Sequence, residues 1–165
     1  MKVLSHQQQN NMKLILIGIQ GSGKSTQGNL LHKILDVSYL STGHIFRTIA
    51  KERTPLGRYI KETMNAGYLI PDDKTLEIVS EYLGRPTYNK GYILDGFPRT
   101  VQQAQNLEGM LGKKKITKVL HLQVDNAILE SRLLKRGETS GRSDDAGLDI
   151  IRKRFEIYSR DTEPV

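Results

Sequence analysis

Four glycines fall within the eleven residues from Gly18 to Gly28, "GIQGSGKSTQG", directly behind the apolar run "LILI". Glycine loses more backbone entropy on folding than any other residue. Such a stretch therefore belongs where side chains would obstruct an unusual torsion or a close approach. Gly18, Gly23, Lys24 and Ser25 stand in the spacing G-x-x-x-x-G-K-S, every fixed position of the phosphate-binding loop pattern. In a strand-to-helix turn, glycines let successive backbone N–H groups point inward, and the helix that follows adds its positive end. The result is a nest for an anion. Lys24 supplies charge for outer phosphates, and Ser25 is placed to bind Mg2+ or a phosphate oxygen. A plain glycine-rich turn is the bland alternative; a strand pattern before the loop and an amphipathic helix after it count against that.

The rest of the chain repeats this alternation. "KLILIGI" (Lys13–Ile19), "VSYLS", "GYILDG" and "KVLHLQV" are short apolar runs suited to buried parallel strands. Between them lie helical patterns. Ser25–Leu35 is expected to place Leu30, Leu31, Ile34 and Leu35 on one face. Helices follow at His44–Arg53 and Leu56–Ala66, separated by Pro55. "DKTLEIVSEYLG" ends on Gly84, "TVQQAQNLEGML" follows the third strand, and the chain closes with helices at Asn126–Lys135 and Leu148–Asp161. Strands alternating with helices predict an α/β fold with a parallel sheet. The fold is expected to begin at Met12, after a polar, disordered extension over residues 1–11.

With 165 residues, the chain suffices for one domain with a real core. It has no cysteine, which removes disulfides, thiol nucleophiles and cysteine zinc cages. No apolar run approaches the roughly 20 residues that span a bilayer, and "MKVLSHQQQNN" is too polar for a signal peptide. A cytoplasmic protein with no membrane partner is expected. The net charge of +7 permits a nucleic-acid partner but suits a polyphosphate ligand equally. Aromatic content of 6%, with no aromatic-rich basic stretch, argues against a base-stacking platform, so no nucleic-acid partner is expected.

A second constellation points at the same ligand. Asp95 closes the third predicted strand, and that end of a parallel strand faces the ligand crevice of an open sheet. A carboxylate there can hold the Mg2+ of a nucleotide directly or through water, although Asp is also a common turn former. Arg47 and Arg99 have a bland reading as surface cations. Taken with the loop, they suggest a second anion site opposite the first.

The segments "GIQGSGKSTQ", "STGHIFR", "YLIPDD", "GYILDGFPRTVQQA" and "RLLKRGETSGRSDD" stand in the order and spacing of the adenylate kinases. From Met12 to Val165 the chain resembles their short-lid form. The resemblance implies a P-loop NTPase-like parallel sheet flanked by helices over residues 12–165. An inserted helical domain for the nucleoside monophosphate would span about 42–72, and a short lid about 136–146. It implies reversible transfer between ATP and AMP, giving two ADP, with Mg2+ as cofactor, in a monomer. Gly21, Ser22, Gly23, Lys24, Ser25, Thr26 and Arg136 would hold ATP. Thr42, Gly43, Arg47, Gly96, Arg99 and Gln103 would line the AMP site, with Arg99 on the phosphate and Gln103 on the adenine edge. Arg142 and Arg154 would reach AMP and, with Arg136, clamp the transferring group. The catalytic set is thus Lys24, Arg99, Arg136, Arg142 and Arg154, with Ser25 and Asp95 for the metal.

The chain departs from the family pattern at His44, where Asp is usual and an exposed first-turn residue is expected. Gln20 stands for a proline, Ser25 for a glycine, and one extra residue precedes the segment bearing Arg154. Relatives continue beyond "TEPV" with a further strand and helix, so four parallel strands are expected here, the fourth an unguarded edge. Two rival readings are a UMP/CMP-type kinase on the same scaffold and a truncated, non-catalytic nucleotide-binding module. Thr42 argues against the first, since uridylate and cytidylate kinases usually carry alanine there.

Overall fold

The computed structural model describes residues 11–112, 115–145 and 147–165. The expected extension lies outside them but for Asn11, as does Ala146 at the end of the expected lid. Strands β1 (Lys13–Gly18), β2 (Ser38–Ser41), β3 (Tyr92–Asp95) and β4 (Lys118–Leu122) form one parallel sheet in the order β2-β3-β1-β4. Side chains alternate across a strand, and β1 has apolar residues in both phases. Leu14 and Leu16 pack with Val37 and Ile93 on one face. Ile15 packs with Leu40, Val79, Leu94, Phe97 and Leu107 on the other. Burial on both faces is why these strands read as continuous apolar runs. β4 is the expected edge, with Val119 53% and Leu120 36% exposed.

Among the described residues, seven α-helices flank the sheet: α1 (Lys24–Leu35), α2 (Thr42–Ile49), α3 (Pro55–Asn65), α4 (Asp72–Leu83), α5 (Val101–Leu111), α6 (Asn126–Ser140) and α7 (Leu148–Ile157). The face predicted for α1 is only half right. Leu31 and Leu35 turn toward the sheet, whereas Leu30 and Ile34 are 51% and 71% exposed. Gly28 explains this. It is the buried residue of α1, and a Cβ there would lie 2.5 Å from the Tyr39 ring and 2.9 Å from Leu16. The helix lies against the sheet through its glycine, which turns the other two apolar residues outward.

α2 begins at Thr42 and ends at Ile49, displaced from the expected His44–Arg53. The Ser41 hydroxyl accepts from the His44 N–H at 3.4 Å and starts the helix early. It ends at Ile49, with the Ala50 N–H bonded to the Phe46 carbonyl, and the residue before proline bars any continuation into the next helix. Thr54 is extended, caps α3 by accepting from the Gly57 N–H at 3.0 Å, and leaves Pro55 as the first residue of α3 rather than a separator. α2 and α3 share a small core of Phe46, Ile60 and Ile70.

α6 runs to Ser140, past the expected Lys135, and ends at Gly141 in the left-handed region. Arg136 therefore sits on a helix, and a short 3-10 turn over Ser143–Asp145 follows. After Ile157 the chain winds as a wider π turn over Tyr158–Thr162, where a continued α-helix is expected from the pattern.

Candidate nucleotide-binding site

The loop after β1 closes on Gly23, whose φ of 95° is left-handed and favours a residue without a Cβ. Lys24 then turns back over the loop. Its ammonium donates to the Gly18 carbonyl and, at 2.9 Å, to the Ile19 carbonyl. Burial pushes its pKa down to about 8, opposed by Asp95 and reinforced by Arg99, Arg136 and Arg154. Two polar atoms of the loop region, Gln20 Oε1 and Ser22 Oγ, are buried without a hydrogen-bond partner. Buried polar groups are normally satisfied, so these atoms mark a place built for something polar.

Asp95, 4% exposed, sits at the carboxyl end of β3. Its Oδ2 accepts from the Ser25 hydroxyl at 2.8 Å and from the Tyr39 hydroxyl at 2.5 Å. Burial and the neighbouring carboxylate raise the Tyr39 pKa, so that phenol stays a donor. Gly21, Gly23, Lys24, Ser25, Thr26, Asp95, Arg132, Arg136, Arg142 and Arg154 line one crevice of about 230 Å3, with Ser22 buried in the loop beneath.

The second crevice is bounded by the insertion and by the segment after β3. Thr42, Gly43, Phe46, Arg47, Met64, Tyr68, Gly96, Arg99, Gln103 and Arg154 line it. Thr42 is 2% exposed and donates to the Gly96 carbonyl at 2.8 Å; Arg99 Nε donates to the same carbonyl at 2.9 Å. The Arg99 N–H donates to Gln103 Oε1 at 2.8 Å. The π turn also contributes, since the Thr162 hydroxyl donates to the Arg99 carbonyl at 2.8 Å. Gln20, Gly43, Arg47, Gly96, Arg99 and Arg154 belong to both crevices and form the wall between them.

Five of the arginines that line the first crevice, three of them in that wall, fall into two electrostatic classes. Arg136 makes a bidentate pair with Asp145 at 2.6 and 3.0 Å, and Arg154 donates to the same carboxylate at 2.6 Å. Arg154 also reaches Asp144, at 2.8 Å to its carbonyl and 3.3 Å to its carboxylate. Among the described residues, Arg47, Arg99 and Arg142 form no ion pair. Burial lowers the pKa of each, bringing Arg47 down to about 10, and neighbouring arginines add to the effect. Buried cations without partners are costly. The arrangement fits a multiply charged anion.

Every site residue expected from the sequence lies in or beside these two crevices, and His44 is on the exposed first turn of α2. Sequence reasoning missed several others. Tyr39, Asp72, Asp144 and Asp145 orient the expected residues, and Arg132 lines the first crevice. Arg132 had a signal, since it stands one helical turn before Arg136. "SDD" directly after Arg142 was visible too, but nothing local says which arginines it pairs.

A family model described as "Adenylate kinase" matches residues 16–165. An adenylate kinase of a Cyanothece species is 41% identical over 155 residues, which is 93% of this chain and 79% of that protein. Those of Nocardia farcinica and Rhodopirellula baltica are 41% and 42% identical over 156 residues. In each case 93% of this chain is covered, with 83% and 79% of the relatives. Among the described residues, no helix is long and apolar enough to cross a membrane.

Proposed function

We propose how the work of phosphoryl transfer is divided among the side chains of this chain, which belongs to the adenylate kinase family. It is an ATP:AMP phosphotransferase, moving a phosphoryl group reversibly from ATP to AMP to give two ADP. In our reading ATP occupies the loop crevice, its phosphates held by the backbone of Gly21–Ser25, by Lys24 and by Arg136. The loop geometry supports this: Gly21, Gly23, Lys24, Ser25 and Thr26, at the N-terminal end of α1, line that crevice together. AMP occupies the second crevice, its phosphate on Arg47 and Arg99 and its base toward Gln103.

The observation that carries this division is the shared wall. Arg47, Arg99 and Arg154 border both crevices, so a group passing between two nucleotides stays within reach of the same cations. The acceptor phosphate needs no general base, because it already carries a charge of about −1.5 to −2 at neutral pH. The obstacle is repulsion between two anions. Arg136, Arg142 and Arg154 lower it and follow charge onto the equatorial oxygens of the transferring group.

The Asp95 corner fits Mg2+. Ser25 and Tyr39 both bond Oδ2, which leaves Oδ1 for a hard cation or its water. The ion, when bound, neutralises charge on the ATP phosphates. Residues 42–72 and 136–146 act in this reading as the acceptor-binding and lid segments that exclude water during transfer. The enzyme works on small nucleotides, as a cytoplasmic monomer.

A coupled assay with ATP and each of AMP, CMP, UMP and GMP tests the reading. AMP should be preferred over CMP by about tenfold to a hundredfold, because the smaller base leaves a buried amide unpaired at roughly 1–3 kcal/mol. Equal use of CMP and AMP would overturn the assignment of Gln103 to adenine.

A further inference from the structure

Gln103 is 2% exposed and lines the acceptor crevice, yet a glutamine amide reads a base only if its two ends are told apart. Three bonds do this. Gln103 Oε1 accepts from the Arg99 N–H at 2.8 Å, and Gln103 Nε2 donates to Asp72 Oδ1 at 2.8 Å. Asp72 Oδ2 meanwhile accepts from the Thr100 hydroxyl at 2.9 Å, so the carboxylate is itself held. A carboxylate can only accept and a backbone N–H can only donate. Turning the amide over would set donor against donor at Arg99 and acceptor against acceptor at Asp72. In so buried a position neither mismatch is relieved cheaply.

We infer that Asp72 is a specificity-determining positioning residue, which locks the Gln103 amide so that the acceptor crevice selects a 6-amino purine over a 6-oxo purine. The inference rests on the second crevice being the AMP site. After its structural bonds, Gln103 retains one N–H and one oxygen lone pair. An adenine edge offers an amino donor beside a ring-nitrogen acceptor and matches that pair. Hypoxanthine offers a carbonyl beside a ring N–H, the reverse pattern in a base of the same size. It would need the amide turned over, and Asp72 forbids it. Asp72 touches no substrate in this scheme; it acts through Gln103. It is also the first residue of α4, at the end of the insertion, so the lock ties the insertion to the segment bearing Arg99.

The test compares kcat/KM for AMP and for IMP, with ATP as donor, in the full chain. The wild type should favour AMP by about 10²-fold or more, the range open to sites that pair a buried polar group. Asp72→Ala should shrink that ratio about tenfold, chiefly by raising the KM for AMP, since one of the two locks is gone. Asp72→Asn keeps an oxygen for Gln103 Nε2 and should hold the ratio within about threefold of wild type. If Asp72→Ala does not fold, Asp72→Leu keeps the volume while removing the acceptor, and the same shrinkage is expected. If both fail, the Asn variant decides alone, and a tenfold change in its ratio overturns the inference. A removal variant that slows AMP and IMP by one common factor overturns it as well, because a merely structural role predicts that. Equal use of AMP and IMP by the wild type also overturns it, leaving the phosphotransferase untouched. Failure of the wild type to phosphorylate AMP at all would instead overturn the reading of the crevice.

Discussion

Arg136 and Arg154 share one buried carboxylate, while Arg47, Arg99 and Arg142 line the same crevice without one. The two groups line the same crevice, yet the protein treats them differently. The paired arginines are positioned by the protein's own anion, Asp145, which is 1% exposed and orients both guanidinium groups before any ligand arrives. The unpaired ones keep their charge unspent and are pushed toward lower pKa by burial and by neighbouring arginines, Arg154 in every case. Preorganisation and unmet charge are two different contributions to holding a transition state. One region supplies geometry and the other supplies the electrostatic demand that a phosphate satisfies.

The largest effect expected from this contrast is at the unpaired cations. Lys24→Ala and Arg99→Ala should each lower kcat by about 10²–10³, the usual cost of losing one preorganised donor to developing charge. Arg99→Ala should also weaken AMP binding and leave ATP binding near wild type, as isothermal titration with each nucleotide would show. Wild-type AMP affinity in Arg99→Ala would break the comparison, since Arg99 would then be a cation with nothing to hold.

Removing the organiser should act through two arginines at once. Asp145→Ala is expected to lower kcat about ten- to a hundredfold and to destabilise the free protein by about 3 kcal/mol, the low end for breaking a buried pair because Arg136 is partly exposed. Bound nucleotide should restore much of that stability, because phosphates replace the missing anion. A thermal-shift series with and without ATP plus AMP reads this directly. A ligand-induced shift no larger than that of the wild type would mean that Arg136 and Arg154 do not meet phosphate.

The smallest effect is a pH dependence at Lys24. Its folded pKa is about 8 against 10.5 for an ordinary lysine. In the free enzyme it loses its proton above pH 8, so kcat/KM for ATP should fall about tenfold per pH unit beyond that point. Stability should move the other way. Between pH 8 and 10.5 the unfolded chain binds the proton that the folded chain has released, so stability of the free protein rises with pH across that window. A kcat/KM profile flat to pH 10 would place Lys24 outside phosphate binding.

The loop at Gly18–Ser25 was legible because its chemistry is local. Strand, turn and helix are consecutive, and the glycine torsions, the lysine and the hydroxyl all lie within eight residues. Asp95 was legible for a similar reason, since a strand end in a parallel sheet has one address. α1 shows the limit of such reasoning. Its four apolar residues suggested one buried face, but the contact was made through Gly28, and no periodicity shows that a helix will approach a sheet closely enough to need a glycine.

By itself, the sequence determined the α/β alternation, the phosphate loop and the identity of the arginines, all properties of residue type and short-range spacing. Only the tertiary structure decided which arginines are paired and which are not. It also decided that Asp72 and Arg99 hold opposite ends of one amide, and that Thr162 supports Arg99 from the end of the chain. The physical reason is separation along the chain. Asp72 and Gln103 lie 31 positions apart, Thr162 and Arg99 lie 63 apart, and side-chain periodicity carries no information over such distances. A carboxylate's partner is set by where the backbone brings it, and that is a property of the packed fold.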